Sequence, residues 1–350
     1  MRRRGVMTRT IAGTKRAALH WPRTGSNRQM GERLDHRTAT APETRAEAED
    51  VCVVLNAASG SATQDRTLDE IRRAFAAEGL TARVDLLREG ADAPDVARAA
   101  QERGHRVVVA AGGDGTLAAV AGALAGTGAC MGILPLGTFN YFARSLGLPQ
   151  DLAQAVRVIA RGAVRPTRLA RINDRVFLNN ASLGAYPAIL REREEVYRRW
   201  GRSRAAAYWS VLRTLVQLRR PLRVTITADG ATRAFRTQLV FVVNNAFQLN
   251  ELGLQGADEI AVGRMAVFVA PDEGRWGMIR NALAIAAGRA QKHRNFEIMS
   301  GRDVTIATGR KARSIACDGE RERMRPPFEL QVWPDALDIL VPEGQEEGTR

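Results

Sequence analysis

Lysine is almost missing from this 350-residue chain: of its 52 Lys+Arg only Lys15, Lys292 and Lys311 are lysines. A Walker-type phosphate loop, a protein-kinase fold and a Schiff-base enzyme each need a lysine at a fixed place. No GxxxxGK[ST] occurs, and none of the three lysines follows a glycine-rich turn. Any nucleotide bound here is held without a lysine clamp. Histidine is also scarce, with His20, His36, His105 and His293 scattered along the chain, so a histidine metal cluster is not expected. The cysteines are three, Cys52, Cys130 and Cys317, each beside an apolar run, and read as reduced, buried thiols of a reducing compartment. No stretch approaches the roughly 18 uninterrupted apolar residues of a membrane span, so any membrane contact is expected at the surface. At 45% apolar composition the chain can bury a large core, with two domains expected.

Charge is what the chain has in excess, and it is unevenly spread. The net balance is +14, and residues 1–48 hold eleven Lys+Arg against four Asp+Glu, half of the surplus. That segment has no sustained periodicity, no apolar signal core and no cleavage site, and is expected to be a disordered basic tail with a weak attraction to anionic lipid or nucleic acid. Met7 and Met30 are alternative starts.

Ordered patterning begins at Val51. VCVVL reads as a strand, followed by the small polar turn Asn56-Ala57-Ala58-Ser59-Gly60 and a helix from about Asp65 to Glu78. The cycle repeats with a strand over Arg83–Leu87, a helix near Pro94–Arg103, and a strand over Arg106–Ala111 that ends in Gly112-Gly113-Asp114-Gly115-Thr116. A small-residue helix (Leu117–Ala125), the run Met131–Leu134 and a second glycine turn, Pro135-Leu136-Gly137-Thr138, follow. Such alternation implies a parallel sheet with helices on both faces, and ligands in such sheets bind at the carboxyl ends of the strands, where all three turns fall. Glycine lets backbone approach a phosphate, and the N–H groups that open the next helix supply donors. Asp114 would repel bare phosphate there, so it makes sense as a partner of Mg²⁺, directly or through water. NAASG alone also reads as an ordinary tight turn; GGDGT at the end of a VVVAA strand is far harder to explain that way.

Taken together, GGDGT, the segment Gly137-Thr138-Phe139-Asn140-Tyr141-Phe142-Ala143-Arg144 that begins 21 residues after Thr116, the Asn56/Ser59/Gly60 turn and the late Asp318-Gly319-Glu320 resemble the catalytic domain of the diacylglycerol kinase and sphingosine kinase superfamily, its bacterial lipid-kinase branch above all. Phe177-Leu178-Asn179-Asn180-Ala181-Ser182-Leu183-Gly184 resembles the start of the second domain of those proteins, and the similarity runs from about Val51 to Val341. The resemblance implies an α/β nucleotide domain of the NAD kinase and phosphofructokinase type over 49–166, a β-sandwich-like lipid-substrate domain over 167–327, and a last segment, 328–342, that returns to the first. Short strand-like runs at Val176–Asn179, Leu222–Thr227, Thr237–Val243, Met265–Val269, Asp303–Ala307 and Ser314–Cys317 agree with a β-rich second half.

By the same resemblance, ATP and Mg²⁺ are the cofactors and a hydroxyl of a diacylglycerol-like or related lipid is the acceptor. Asp318 is the expected base, and Glu320 joins Asp114 in the metal and water network. Asn56, Ser59, Gly60, Gly112, Gly113, Asp114, Gly115, Thr116, Gly137, Thr138 and Asn140 are expected to hold the nucleotide. Read alone, Asp318-Gly319 is the usual signal for a hairpin turn. Many members carry Asp where this chain has Tyr141, which removes one carboxylate from the network. Asp258 is the only plausible substitute, and no metal site is assigned to it.

Arg191–Arg223 holds ten arginines and three glutamates, interleaved with Tyr197, Trp200, Tyr208 and Trp209. This suits an anionic bilayer surface, and equally a solvated amphipathic helix with its aromatics in the core. A cytoplasmic protein meeting the inner face of the membrane is expected, with no nucleic-acid partner, since no reader motif accompanies the charge. Two other readings remain: a soluble-substrate kinase of the NAD kinase type, which shares GGDGT, and a catalytically silent lipid- or nucleotide-binding protein, motivated by Tyr141.

Overall fold

A computed structural model of the chain describes residues 51–56, 61–87, 92–187, 221–272 and 296–344. Ser59, Gly60, the basic tail 1–48 and most of the arginine-rich segment therefore lie outside the described residues.

Three of the parallel strands of the first lobe are apolar along their whole length. β1 (Val51–Leu55) and β3 (Val107–Gly112) are buried at every position, as are the residues of β4 (Cys130–Pro135). This is what strands covered on both faces require, because neither side can be polar. With β2 (Ala82–Leu86) they run in the order β2-β1-β3-β4, all parallel. The chain direction across the sheet reverses between β1 and β3, so the crevice for a ligand is expected at the carboxyl ends of those two strands. Asn56 follows β1 there and Gly113 follows β3.

The connecting helices are α1 (Ser61–Ala77), α2 (Ala93–Glu102) and α3 (Asp114–Leu124). After β4 come the short α4 (Tyr141–Ser145) and α5 (Leu152–Arg161), whose start is capped by the Asp151 carboxylate accepting from the Gln154 N–H. Ile71 and Phe75 of α1 pack with Val156 and Ile159 of α5 over the sheet. Each such side chain stabilises the fold by roughly 1.5–3 kcal/mol on burial.

The chain then turns antiparallel. β5 (Ala163–Ile172), β6 (Arg175–Phe177), β8 (Leu222–Ala228), β9 (Ala231–Thr237) and β13 (Asp303–Ala307) extend the first sheet, while β7 (Asn180–Gly184), β10 (Leu239–Val243), β11 (Met265–Val269), β12 (Glu297–Gly301), β14 (Arg313–Cys317) and β15 (Glu320–Met324) form a second. The last strand, β16 (Phe328–Val341), pairs antiparallel with β13 near its start and parallel with β4 near its end, so one ten-stranded sheet runs through both lobes. β5 accompanies β16 along most of its length and crosses the expected boundary at 166. Between the two sheets, Ile172, Ile226, Ile306, Phe328 and Leu330 face Leu183, Val240, Val242, Val267 and Ile315 in a shared core. The result is an α/β lobe joined to an antiparallel β-sandwich-like lobe. The outer face of the second sheet is covered by α6 (Ala246–Leu252) and α7 (Ala257–Ala261), through Leu249 and Ile260 against Val243, Ala266 and Phe268.

Two local expectations change. The run Thr237–Val243 is not one strand: the Thr237 hydroxyl donates to the Ala270 carbonyl at 2.6 Å and accepts from the Leu239 N–H at 3.1 Å, and the chain passes there from the first sheet to the second. The helix expected from Leu117 begins already at Asp114, which makes Asp114 a helix-opening residue rather than part of a turn.

Candidate active site

Of the residues singled out from the sequence, Asp114, Gly115, Asp318 and Glu320 meet where the two lobes join, with Asn56, Thr116, Gly113 and Gly137 packed beside them. At the end of β1, the Asn56 side-chain amide donates to the Thr116 hydroxyl at 2.8 Å, pinning the end of β1 to α3. α3 opens with Gly113 at its N-cap, which has no side chain to satisfy the free N–H groups of the first turn. The second glycine turn packs directly on the first. A Cβ built on Gly137 would stand 2.6 Å from the Gly113 Cα, so only glycine permits this backbone-to-backbone approach.

Asn140 shapes that second turn from within. It adopts a left-handed conformation, φ 51°, and its buried amide donates toward the carbonyls of Pro135 (3.3 Å) and Gly137 (3.0 Å) and toward Gln150 Oε1 (3.0 Å). Its contribution is thus to hold the turn in shape; Thr138 beside it is exposed. Tyr141 stands at the start of α4, with its ring stacked on Phe139 at 5.4 Å between centroids. Burial, with the Glu251 and Asp114 carboxylates nearby, raises the pKa of its phenol above the ordinary value.

Asp114 does not face solvent alone. Its Oδ2 accepts from the Tyr141 N–H (3.2 Å), and its Oδ1 from the Phe142 N–H (3.1 Å) and the Asn179 side-chain amide (3.0 Å). A carboxylate offers about four lone-pair positions. Three are filled, leaving one on Oδ2.

Asp318 repeats this pattern from the other lobe. Asp318 and Gly319, both with positive φ (47° and 87°), form the tight turn that closes the β14–β15 hairpin, with Cys317 paired to Glu320. The turn points the carboxylate back at the chain entering β7, where Oδ2 accepts from the Leu178 N–H (2.7 Å) and Oδ1 from the N–H groups of Asn179 (2.8 Å) and Asn180 (3.1 Å). One acceptor position on Oδ2 is again left. Burial pushes its pKa from the usual carboxylate range up to about 7, against the downward pull of those three donors, and the Asp114 charge adds a smaller upward push. The hairpin reading of Asp-Gly is therefore correct as structure, and the turn is also what delivers the acid.

Glu320 follows on β15. It lies against α3 so closely that a Cβ on Gly115 would overlap its Oε1. Its other oxygen pairs with Arg175, which also reaches Glu322 at 3.1 Å. Arg175 was not visible from the sequence, since it lies on β6 of the first sheet and meets its partners on β15 of the second. Asn179, 1% exposed, lies between the two acids; its motif stood out in the sequence, its contacts with them did not. Asp258 sits in the first turn of α7. The three cysteines are free and buried, and burial pushes the Cys52 thiol to about 11 and Cys130 to about 12, so they are unreactive packing residues.

Among the described residues, no three His, Cys, Asp or Glu side chains converge as a ready metal cage. The open Asp114 position and the exposed Glu320 carboxylate beside α3 fit a cation of the Mg²⁺ kind, which keeps most of its waters and takes its remaining ligands from one or two carboxylates and from phosphates.

A parallel sheet with glycine turns at its switch point, joined to an antiparallel sandwich that contributes a buried acid, defines a two-lobed protein with an α/β lobe of the nucleotide-binding kind. Comparison with known families gives the same answer: residues 50–172 match the diacylglycerol kinase catalytic domain, and residues 186–341 match the YegS C-terminal NAD kinase beta sandwich-like domain. The chain thus carries a diacylglycerol kinase catalytic domain followed by a YegS C-terminal domain. It is 39% identical over 136 residues to a probable lipid kinase YegS-like protein of Klebsiella pneumoniae, covering 38% of this chain and 45% of that one. It is 31% identical over 135 residues to a diacylglycerol kinase of Bacillus subtilis, with the same shares. The matched stretch thus spans less than half the length of these relatives. The crystal structure of a putative diacylglycerol kinase from Bacillus anthracis shares the fold, with a TM-score of 0.63 at 22% identity over 85% of this chain and 99% of that one.

Proposed function

We propose that the protein is an ATP- and Mg²⁺-dependent lipid kinase, which transfers the γ-phosphoryl group of ATP to a hydroxyl of a diacylglycerol-like or related lipid. The observation that carries this reading is Asp318: a carboxylate with one open acceptor position, raised to about 7, held at the same junction as the glycine turns. A base poised near neutral pH is what removing a hydroxyl proton requires.

In this reading the lipid hydroxyl lies against Asp318 Oδ2, which takes its proton as the oxygen attacks the γ-phosphorus; the bond from the γ-phosphorus to the bridging oxygen breaks, and ADP leaves. The uncapped first turn of α3 receives phosphate oxygens, and the Gly113–Gly137 approach keeps side chains out of their way. Asn140 acts by holding its turn in shape, and Asn56 by tying the end of β1 to Thr116. Mg²⁺, when bound, neutralises charge on the transferring group; Asp114 and Glu320 are the residues that would hold it, mainly through water.

The reading is supported by the names of the relatives, lipid kinase and diacylglycerol kinase, and by Asp318-Gly319-Glu320 and the Gly137–Asn140 turn, which an NAD kinase does not explain. No helix among the described residues is long and apolar enough to cross a membrane, so the lipid would be reached from the surface. Anionic bilayer is the proposed docking surface, on the charge of Arg191–Arg223. Incubating the protein with labelled ATP, Mg²⁺, a panel of lipids in vesicles, and NAD as a separate acceptor tests both points. Labelled lipid with no labelled NAD, faster on anionic than on neutral vesicles, supports the reading; labelled NAD alone overturns it.

A further inference from the structure

Asp114 and Asp318 come from opposite lobes, and their like charges repel. Asn179 reaches both: its backbone N–H donates to Asp318 Oδ1 at 2.8 Å and its side-chain amide donates to Asp114 Oδ1 at 3.0 Å. The direction of that amide is fixed from behind, because its own Oδ1 accepts from the Asn245 side chain at 2.7 Å. Asn245 in turn opens α6, its Oδ1 accepting from the Phe247 N–H at 2.9 Å and the Gln248 N–H at 3.4 Å.

The path closes on itself. α6 packs against α4, with the Arg144 guanidinium 5.3 Å over the Phe247 ring, and the first two N–H groups of α4 are those that hold Asp114. A shift of α6 therefore reaches Asp114 by two routes, and Asp318 by one, through Asn179. Since Asn179 is buried, its amide is not exchanged for water.

We infer that Asn179 is a positioning residue of the phosphoryl-transfer site: it sets the spacing of the two carboxylates and ties that spacing to α6 of the second lobe. The inference rests on the kinase reading above. It predicts a defect in turnover rather than in nucleotide binding, since Asn179 meets the first glycine turn only at the Asp114 carboxylate and not at the backbone that would face phosphate.

The test compares Asn179→Ala with Asn244→Ala in the full chain. Asn244 is also buried, and its amide donates to the Leu178 carbonyl at 3.2 Å without touching either acid, so it reports the cost of removing a buried amide. Asn179→Ala should lower kcat by about 10- to 100-fold, the scale of a misplaced catalytic group, leave the KM for ATP within about twofold, and move the acid limb of the pH profile. Asn244→Ala should lose thermal stability yet keep kcat within about threefold. In an Asp114→Asn background, Asn179→Ala should add little, since it acts partly through Asp114. Asn245→Ala, which frees the amide from behind, gives a smaller loss in the same direction and serves if Asn179→Ala fails to fold. An active wild type whose Asn179→Ala and Asn245→Ala variants keep its kcat and pH profile overturns the inference and leaves the kinase reading standing. A wild type that labels no lipid overturns both.

Discussion

The sharpest consequence of the geometry is a pH dependence. Burial holds Asp318 near 7, well above the ordinary carboxylate range. The folded-state value lies above the unfolded one, so the protonated acid favours the fold. This contribution to stability is full below the unfolded carboxylate pKa and is lost as pH rises through about 7. Catalysis needs the opposite form. If Asp318 is the base, kcat/KM measured from pH 5 to 9 with labelled ATP and dispersed lipid rises with unit slope to a plateau above about 7. At pH 5 it should stand about 100-fold below the plateau, in proportion to the ionised fraction. Asp114→Asn removes a neighbouring negative charge and should move the limb to lower pH while lowering kcat. A profile flat down to pH 5, or a limb at ordinary carboxylate values, would refute the reasoning.

Gly115→Ala and Gly137→Ala separate two kinds of crowding. At Gly115 the new methyl meets the movable Glu320 side chain, and a helical Gly→Ala gains up to about 1 kcal/mol, so thermal stability should hold or rise while kcat falls about tenfold or more. At Gly137 it meets the Gly113 backbone, and scanning calorimetry should show a loss of about 1–3 kcal/mol. Tyr141→Asp places a carboxylate beside Asp114 and should raise the acid limb seen in the pH profile, by like-charge repulsion. An unmoved limb would separate position 141 from the acids.

The α/β lobe was legible in the sequence because its signals are local: VCVVL and VVVAA are apolar without interruption, and each is followed by small residues and glycine. Asp318 was legible only through its motif. What spacing could not reveal is how each acid is held. Asp114 is gripped by the first amides of α4 and by Asn179, and Glu320 by Arg175, all through pairings between distant segments. The same limit hid the continuity of the sheet, since β16 joins both lobes by pairing with β4 and β13. The strand break at Thr237 escaped notice because a continuous β-prone run carries no mark of the sheet change that its hydroxyl makes.

The central claim is that Asp318 activates a lipid hydroxyl toward ATP. Its most direct test is the transfer of γ-labelled phosphate to lipid by the wild type and by Asp318→Asn, with equal folding verified by thermal unfolding. The account predicts a labelled phospholipid from the wild type and a loss of about 10²–10⁴-fold in the variant. No labelled lipid from the wild type, or equal labelling by the two, would contradict it.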